Sequence, residues 1–160
     1  MKHLLCIALF LLFTNVSAQN TDSLMQVEWQ AGLKRLQAGN SNDAALQFSQ
    51  LINSGFSNKE VFVKRGVAYY QLKNYDQAKT DFDEAIRQRV NTSELFAYRG
   101  LTRYYLNDYA GAAADLEKGT SMGSGDFDVW LHLANAKFKL ENYKEAVVCY
   151  DKAEALTKSD

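Results

Sequence analysis

The stretch KEVFVKRGVAYYQLKNYDQAKTDFDEAIRQRVNT, residues 59–92, decides the fold because its pattern recurs through the chain at a constant spacing of 34 residues. Its fixed points are aromatic or small: Phe62, Gly66, Tyr69, Tyr75, Ala78, Phe82 and Ala85. Similar residues stand one and two periods later, and a weaker copy comes one period earlier. Four units therefore tile the chain without insertion or deletion, over residues 25–58, 59–92, 93–126 and 127–160. A constant period of this size is typical of stacked supersecondary units.

The order of these fixed points resembles the tetratricopeptide repeat, a unit of two helices in 34 residues. The resemblance covers everything after residue 24. It implies an all-α fold, a right-handed superhelical stack of four antiparallel helical hairpins. The units depart from the family pattern at Arg65 and Arg99, where leucine is usual, at Glu28, where an aromatic residue is usual, and in lacking a closing proline.

Helix start signals occur twice in each unit. Polar residues that could accept hydrogen bonds from free backbone N–H groups precede both predicted helices. Before the second helices these are Asn40, Asn74, Asp108 and Asn142, and before the last three first helices the candidates are Ser57, Asn91 and Gly125. We expect these caps to set the helix boundaries. Inside the hairpin we expect Gly66 to face Ala78, so that the two backbones approach closely.

Comparison of the units with one another predicts two ion pairs. Arg65 is followed sixteen residues later by Asp81, and Arg99 by Asp115. In the fourth unit the same two positions hold Leu133 and Cys149. Because the two positions change polarity together, we expect them to touch across the hairpin. Cys149 is then a packed thiol; the alternative is a reactive or intermolecular one.

Residues 1–18 have the pattern of a secretory signal peptide. A basic start at Lys2 and His3 is followed by an apolar run over residues 4–13 and by the small-residue site Val16-Ser17-Ala18. We therefore expect an exported protein, periplasmic or secreted, with a short lead over residues 19–24 and the repeat domain over residues 25–160. Only Cys149 would remain after cleavage, so no internal disulfide is expected.

Composition argues against several classes of function. The chain has 18 basic and 19 acidic side chains, whereas nucleic-acid binding needs concentrated positive charge. Beyond the signal sequence His132 is the one histidine, which leaves no metal site and no nucleophile–histidine pair. We therefore predict no catalytic residues, no metal, no cofactor, no nucleic acid and no direct membrane insertion of the mature chain.

The resemblance implies that the first helices line a concave groove that holds a segment of a partner protein. Carried over by position, the groove residues are Trp29, Val63, Lys64, Tyr70, Tyr98, Tyr104, Tyr105, His132, Asn135 and Phe138. The family's clamp for a C-terminal carboxylate is missing, so an apolar or aromatic peptide is expected. Alternatively Tyr70, Tyr104 and Phe138 only pack between units. Glu60, Glu94 and Asp128 border the same face, but helix capping also explains them.

The second helix of the last unit is a second candidate surface. Its sequence Val147-Val148-Cys149-Tyr150 is more apolar than Lys79-Thr80-Asp81-Phe82, which occupies the same place two units earlier. The residues predicted to form an interface there are Val147, Val148, Tyr150 and Leu156.

Two functional hypotheses follow. The first is an exported adaptor or scaffold that binds a protein or peptide in its groove. The second is a structural subunit of a cell-envelope assembly held through its C-terminal repeat, or a homodimer through that end.

Overall fold

The computed structural model describes residues 21–158, and all regular structure in that range is α-helical. The described part of the first helix, α1, covers residues 21–37. The others are α2 Ser41–Asn53, α3 Glu60–Gln71, α4 Tyr75–Arg87, α5 Ser93–Tyr105, α6 Tyr109–Ser121, α7 Phe127–Lys139 and α8 Tyr143–Thr157. They pack as consecutive hairpins, and each hairpin contacts the next, so the fold is an all-α solenoid of helical hairpins.

Each helix before α8 ends in a turn that contains one residue with positive φ. These residues recur at the repeat period, as Gly39, Lys73, Asn107 and Glu141 after the first helices and Gly55, Arg89 and Gly123 after the second. After α3, the N–H of Asn74 bonds to the carbonyl of Tyr69 and the N–H of Lys73 to that of Tyr70, both at 2.9 Å. Such bonds satisfy carbonyls left free at a helix end.

Side-chain caps are fewer than the sequence predicts. Thr92, Asp108 and Asp126 accept hydrogen bonds from the backbone N–H groups three residues on. Asn40, Asn74 and Asn142 occupy the predicted N-cap positions without such a bond. Their ψ angles of 59–67° are close to the 74° of Asp108, which does cap its helix, so the backbone angle does not explain the difference. The caps predicted at Ser57, Asn91 and Gly125 are each off by one or two residues, since α3, α5 and α7 begin after Lys59, Thr92 and Asp126.

Glycines allow close packing inside the hairpins, although not against the predicted partner. A Cβ atom on Gly66 would lie 2.6 Å from the ring of Phe82, and one on Gly100 would lie 2.6 Å from Cγ of Leu116. Phe82 and Leu116 are fully buried. The closest neighbour of Gly66 is therefore the large side chain one turn beyond Ala78, whose ring fills the space that a side chain at residue 66 would need.

The contacts between successive hairpins, which we call junctions, join α2 to α3, α4 to α5 and α6 to α7. Two stripes on the first helices are buried there. One consists of Val61, Leu95 and Val129, and the other of the small residues Ala68, Thr102 and Ala136. In the first hairpin the equivalent Val27 is 62% exposed and Lys34 is exposed. The preceding hairpin therefore covers both positions wherever one is present.

Two of the predictions concern the start of the chain. The signal sequence at residues 1–18 lies outside the described residues. Residues 21–24, predicted as part of a short lead, are helical and continue directly into α1. Between residues 21 and 158, no helix combines the length and the apolar character that a membrane span requires.

Candidate functional site

Five tyrosines and one histidine form a continuous aromatic surface on the side where α3, α5 and α7 lie next to one another. We call it the tyrosine face; it consists of Tyr70, Tyr75, Tyr98, Tyr104, Tyr105 and His132. Tyr70 meets Tyr98 edge-on with ring centroids 5.3 Å apart, and Tyr75 stacks on Tyr105 at 4.7 Å. The surface thus crosses two junctions, and it includes five of the ten predicted groove residues.

The tyrosine face is held by hydrogen bonds as well as by ring contacts. His132 Nε2 lies 3.2 Å from the hydroxyl of Tyr105, and its Nδ1 lies 2.7 Å from the carbonyl oxygen of Asp128. Tyr104 packs edge-on against the His132 ring at 5.0 Å. Tyr105 remains 42% exposed. The packing hypothesis therefore describes Tyr70 and Tyr104, which are half-buried, better than Tyr105.

Two predicted groove residues are not on the surface. Trp29 is buried, with its ring 5.4 Å from that of Phe48 and 5.7 Å from that of Phe56. Val63 is also buried in the core. Their assignment to the groove is wrong because this position on the first helix points into the hairpin stack, as Ala97 also does in the third unit.

Two polar groove candidates bond to other residues of the chain, and one apolar candidate is exposed. Lys64 forms a 2.5 Å ion pair with Glu94 of the next hairpin. Asn135 Oδ1 accepts a 2.6 Å hydrogen bond from the hydroxyl of Tyr150. Phe138 is 53% exposed and touches Tyr143 with ring centroids 5.2 Å apart.

An acidic cleft of about 530 Å³ adjoins the tyrosine face. We use this name for the space among Tyr70, Glu94, Tyr98, Asp126 and Asp128, which is also lined by Ser93, Ala97, Leu101, Val129 and residues 123–125. The loop after α6 closes one side of it. This cleft was not predicted, because helix capping also explains Glu94 and Asp128 in the sequence.

Each carboxylate of the cleft has a different role. Asp126 caps α7 by accepting a hydrogen bond from the N–H of Val129 at 2.9 Å. Glu94 bonds to Lys64 across the junction and not to its own helix end. The Asp128 carboxylate has no partner within the described part of the chain. Capping therefore accounts for Asp126 alone among the three.

The tyrosines of the cleft stay neutral at physiological pH. Burial raises the pKa of Tyr98, and the carboxylates of Glu94, Asp126 and Asp128 raise it further. Burial and the neighbouring Tyr105 and Tyr75 likewise raise the pKa of Tyr70. Both hydroxyls can therefore donate hydrogen bonds inside a cleft of negative potential, which suits a cationic group more than an anionic one.

The two arginine–aspartate pairs expected from the sequence are present. Arg65 donates from Nε and Nη2 to Asp81 at 2.8 and 2.7 Å, and Arg99 does the same to Asp115 at the same distances. In the fourth hairpin Leu133 and Cys149 are both buried in one apolar cluster. Burial raises the pKa of the Cys149 thiol, which favours the packed thiol over the reactive one.

Polar contacts that were not predicted cross the junctions between hairpins. Arg99 also donates from Nη1 to Asp83 at 3.0 Å, and Arg65 donates from Nη1 to Ser49 at 3.0 Å. In both cases the acceptor lies sixteen residues before the arginine, so the offset that predicts the pairs within hairpins also predicts these contacts when it is applied backwards. At the last junction Lys137 takes this role, with Nζ 2.5 Å from Glu117.

The predicted C-terminal interface divides into two kinds of position. Val147 is 57% exposed, whereas the equivalent Ala45 and Ala113 are buried by the hairpin that follows, and Lys79, at the same place in the second hairpin, is half-buried. Tyr150 is half-buried, whereas Phe48, Phe82 and Leu116 are fully buried. Val148 and Leu156 differ, because the equivalent Leu46 and Met122 are also exposed. The interface assignment of Val148 and Leu156 therefore has no support from repeat packing.

Solved structures similar to this chain include several MamA proteins. MamA from Desulfovibrio magneticus RS-1 is 14% identical with a TM-score of 0.71, over 85% of this chain and 77% of that one. MamA AMB-1 is 20% identical with a TM-score of 0.75, over 86% and 81%. MamA MSR-1 is 21% identical with a TM-score of 0.72, over 82% and 76%. At these identities the likeness shows a common fold.

Sequence comparison identifies the family. Comparison with curated proteins gives no significant match. Two family models described as tetratricopeptide repeat match the chain, one over residues 60–89 and the other over residues 99–160. Together they span more than half of it. The chain therefore belongs to the tetratricopeptide repeat family and forms a scaffold for protein interaction.

Proposed function

We propose that this chain is an exported adaptor that binds a segment of a partner protein along the tyrosine face, with a basic side chain of that segment in the acidic cleft. The observation that carries this proposal is the lining of the cleft, where Tyr70 and Tyr98 stand beside Glu94, Asp126 and Asp128. The proposal requires binding and no chemical reaction.

The tyrosine face supports the apolar part of the proposal. Tyrosine is enriched among interface residues that dominate binding energy, because it buries a large area with little loss of side-chain freedom. Here the rings already contact one another across the junctions, so little additional order is needed on binding. Tyr105 is the most exposed ring of the face, and it contacts Tyr70, Tyr75, Tyr104 and His132.

The carboxylates of the acidic cleft support the second part of the proposal, a basic side chain on the partner segment. Glu94 is already paired with Lys64, and Asp126 is engaged as a helix cap. Asp128 therefore supplies the charge that an incoming ammonium or guanidinium would meet, in a cleft that two neutral tyrosines also line. An acidic segment would be repelled, so charge contributes more to the choice of partner than to the total affinity.

The proposal can be tested with displayed libraries of short peptides selected on the purified chain. Selected peptides should combine an aromatic or aliphatic residue with a lysine or arginine. Tyr105→Ala and Asp128→Asn should each weaken binding by about tenfold or more, since they remove a central contact and the unpaired charge. Tyr143→Ala is the matched control, because this exposed ring lies beside Phe138 and outside the cleft.

Selected peptides without a basic residue, or binding that Asp128→Asn leaves unchanged, would contradict the cleft assignment. Loss of binding in Tyr143→Ala together with full binding in Tyr105→Ala would contradict the tyrosine face as well. That pattern would support the alternative, a subunit of a cell-envelope assembly held through its C-terminal repeat.

Export is part of the proposal and is supported by the pattern of residues 1–18. Expression of the full chain in a secreting host should give a mature protein that begins at Gln19. Mass spectrometry of the purified protein measures this directly. A protein that retains Lys2 and accumulates in the cytoplasm would contradict export and would leave the binding surfaces unaffected.

A further inference from the structure

The three junctions share one polar and one apolar contact. At each junction, a basic side chain on the first helix of the later hairpin bonds to a side-chain oxygen on the second helix of the earlier hairpin. The acceptors are Ser49, Asp83 and Glu117, and the donors are Arg65, Arg99 and Lys137. Near Ser49 and Glu117 the earlier hairpin also offers a buried alanine, Ala45 or Ala113, whereas the middle junction has Lys79 there.

The first helices that enter these junctions share a pattern. A branched apolar residue comes first, as Val61, Leu95 or Val129, and a small residue follows seven positions later, as Ala68, Thr102 or Ala136. All six are buried, because the seven-residue spacing places both on the stripe that faces the preceding hairpin. The basic residue follows the apolar one by four positions at the first two junctions and by eight at the third.

The last hairpin repeats the accepting half of a junction without a helix on it. This C-terminal face consists of Phe138, Val147, Tyr150 and Asp151. Asp151 is the equivalent of Ser49, Asp83 and Glu117, is exposed, and has no partner among residues 21–158. Phe138 is 53% exposed, whereas its equivalents are buried at Leu36 and half-buried at Tyr70 and Tyr104. The burial differences at Val147 and Tyr150 are described above.

We propose that the C-terminal face binds an amphipathic helix of a partner protein. That helix carries a branched apolar residue, an arginine four positions later or a lysine eight positions later, and a small residue seven positions later. The face continues the packing of the three existing junctions, and the Asp151 carboxylate complements the basic residue. This surface is distinct from the tyrosine face, so both could be occupied in the same complex.

A second copy of this chain fits the face poorly. Its α1 helix presents Val27, which suits the apolar position, but Ala31 stands where the first two junctions have arginine. Arg35 stands where the third junction has Lys137, and it already donates a hydrogen bond to Gln47 of its own hairpin. Lys34 stands where all three junctions have a fully buried alanine or threonine. Burial of its ammonium group in that small space would be unfavourable. These features argue against a second copy, and the proposal therefore assigns the face to a helix of a partner protein.

The test uses a fluorescent, side-chain-stapled peptide with the sequence of α3, Glu60–Gln71, which contains the pattern as Val61, Arg65 and Ala68. Its anisotropy is measured against the purified chain. We expect saturable binding of this peptide. A matched peptide with Ala68→Lys should bind more weakly by at least about tenfold. In the protein, Val147→Asp and Asp151→Lys should each weaken binding of the parent peptide by about tenfold.

Val148→Asp is the matched control in the protein. Val148 is next to Val147 and is 53% exposed, but its position is exposed in every hairpin, so this variant should bind normally. Tyr105→Ala should also bind the peptide normally, which separates this proposal from that for the tyrosine face. Absence of saturable binding, or equal binding by Val147→Asp and Val148→Asp, would overturn the proposal. A wild-type dimer in sedimentation that Val147→Asp dissociates would overturn it in favour of a second copy.

Discussion

Seven described turns require a left-handed residue, and the chain places glycine at only three of them. The other four hold Lys73, Arg89, Asn107 and Glu141, with φ between 60° and 66°. This conformation is unfavourable by about 1–2 kcal/mol for most residues that have a Cβ. The fixed repeat geometry therefore overrides the local preference of the side chain.

Glycine at two of these positions should stabilise the fold. Lys73→Gly and Glu141→Gly should each raise the free energy of unfolding by about 0.5–1 kcal/mol, because the relief of left-handed strain exceeds the extra freedom of glycine in the unfolded chain. Urea denaturation measures the change. Gly39→Ala is the reverse control: nothing lies within 4 Å of a Cβ there, so its loss of stability reports φ alone. Variants that all have the same free energy of unfolding as the wild type would contradict this account.

At the scale of the helix pair, the repeat period predicted contacts more reliably than local signals did. The sixteen-residue offset identified both arginine–aspartate pairs because paired positions change together between units. Capping was predicted less well: Asn74 and Asp108 occupy equivalent positions with similar backbone angles, and only Asp108 caps its helix. The partner of Gly66 was missed because the size of the Phe82 ring decides which side chain fills the gap.

The fourth hairpin shows which residues can replace the ion pair, since it has Leu133 and Cys149 at these positions. Arg65→Leu should lower the free energy of unfolding by about 3–5 kcal/mol, because it leaves the buried Asp81 carboxylate without its cation. Addition of Asp81→Cys recreates the Leu133 and Cys149 combination and should recover most of the loss. Chemical denaturation of the two single variants and the double variant measures the coupling. Losses that simply add would show that the pair does not act as a unit.

The ion pair across the middle junction predicts a specific pH dependence. Burial alone would raise the pKa of Asp83, but hydrogen bonds from Lys79 and Arg99 lower it overall from its ordinary value of 3.8. A carboxyl with a depressed pKa in the folded state adds stability above pH 3.8 that is lost as the pH falls through its folded-state pKa.

Asp83→Asn should therefore be less stable than the wild type at neutral pH, and the difference should disappear as the solution is acidified below about pH 4. Urea midpoints measured across this range give the result. Asp76→Asn is the control, because this carboxyl lies on the same helix outside the junction. A difference that persists unchanged in acid would show that the charge of Asp83 contributes nothing.

At the scale of the whole molecule, the helical stack was predictable and the binding surface was only partly so. The period placed Tyr98, Tyr105 and His132 on first helices that lie side by side. It could not fix how each helix is rotated about its axis, and so Trp29 and Val63 were assigned to the surface although packing turns them inward. The acidic cleft depends on the loop after α6 approaching α5, which no helical periodicity encodes.

The small-residue stripe predicts opposite responses to matched substitutions. Ala68→Lys should lower the free energy of unfolding by more than about 2 kcal/mol, because a fully buried junction position would receive a charge. Lys34→Ala concerns the same position in the first hairpin, where no hairpin precedes it among the described residues, and should change stability by less than about 0.5 kcal/mol. Thermal unfolding of both variants measures the contrast. A small effect of Ala68→Lys would contradict the assignment of this stripe to the junctions.

Lys34 also has a consequence for how the protein behaves at high concentration. A protein whose first hairpin fits the last hairpin of another copy can add subunits without limit. Such growth yields fibres when the contact does not close into a ring. On the proposal made above, the C-terminal face accepts a helix, and α1 of a second copy is a poor occupant because of Ala31 and the Lys34 ammonium group. Lys34→Ala together with Ala31→Arg should therefore convert separate molecules into filaments, which light scattering measures.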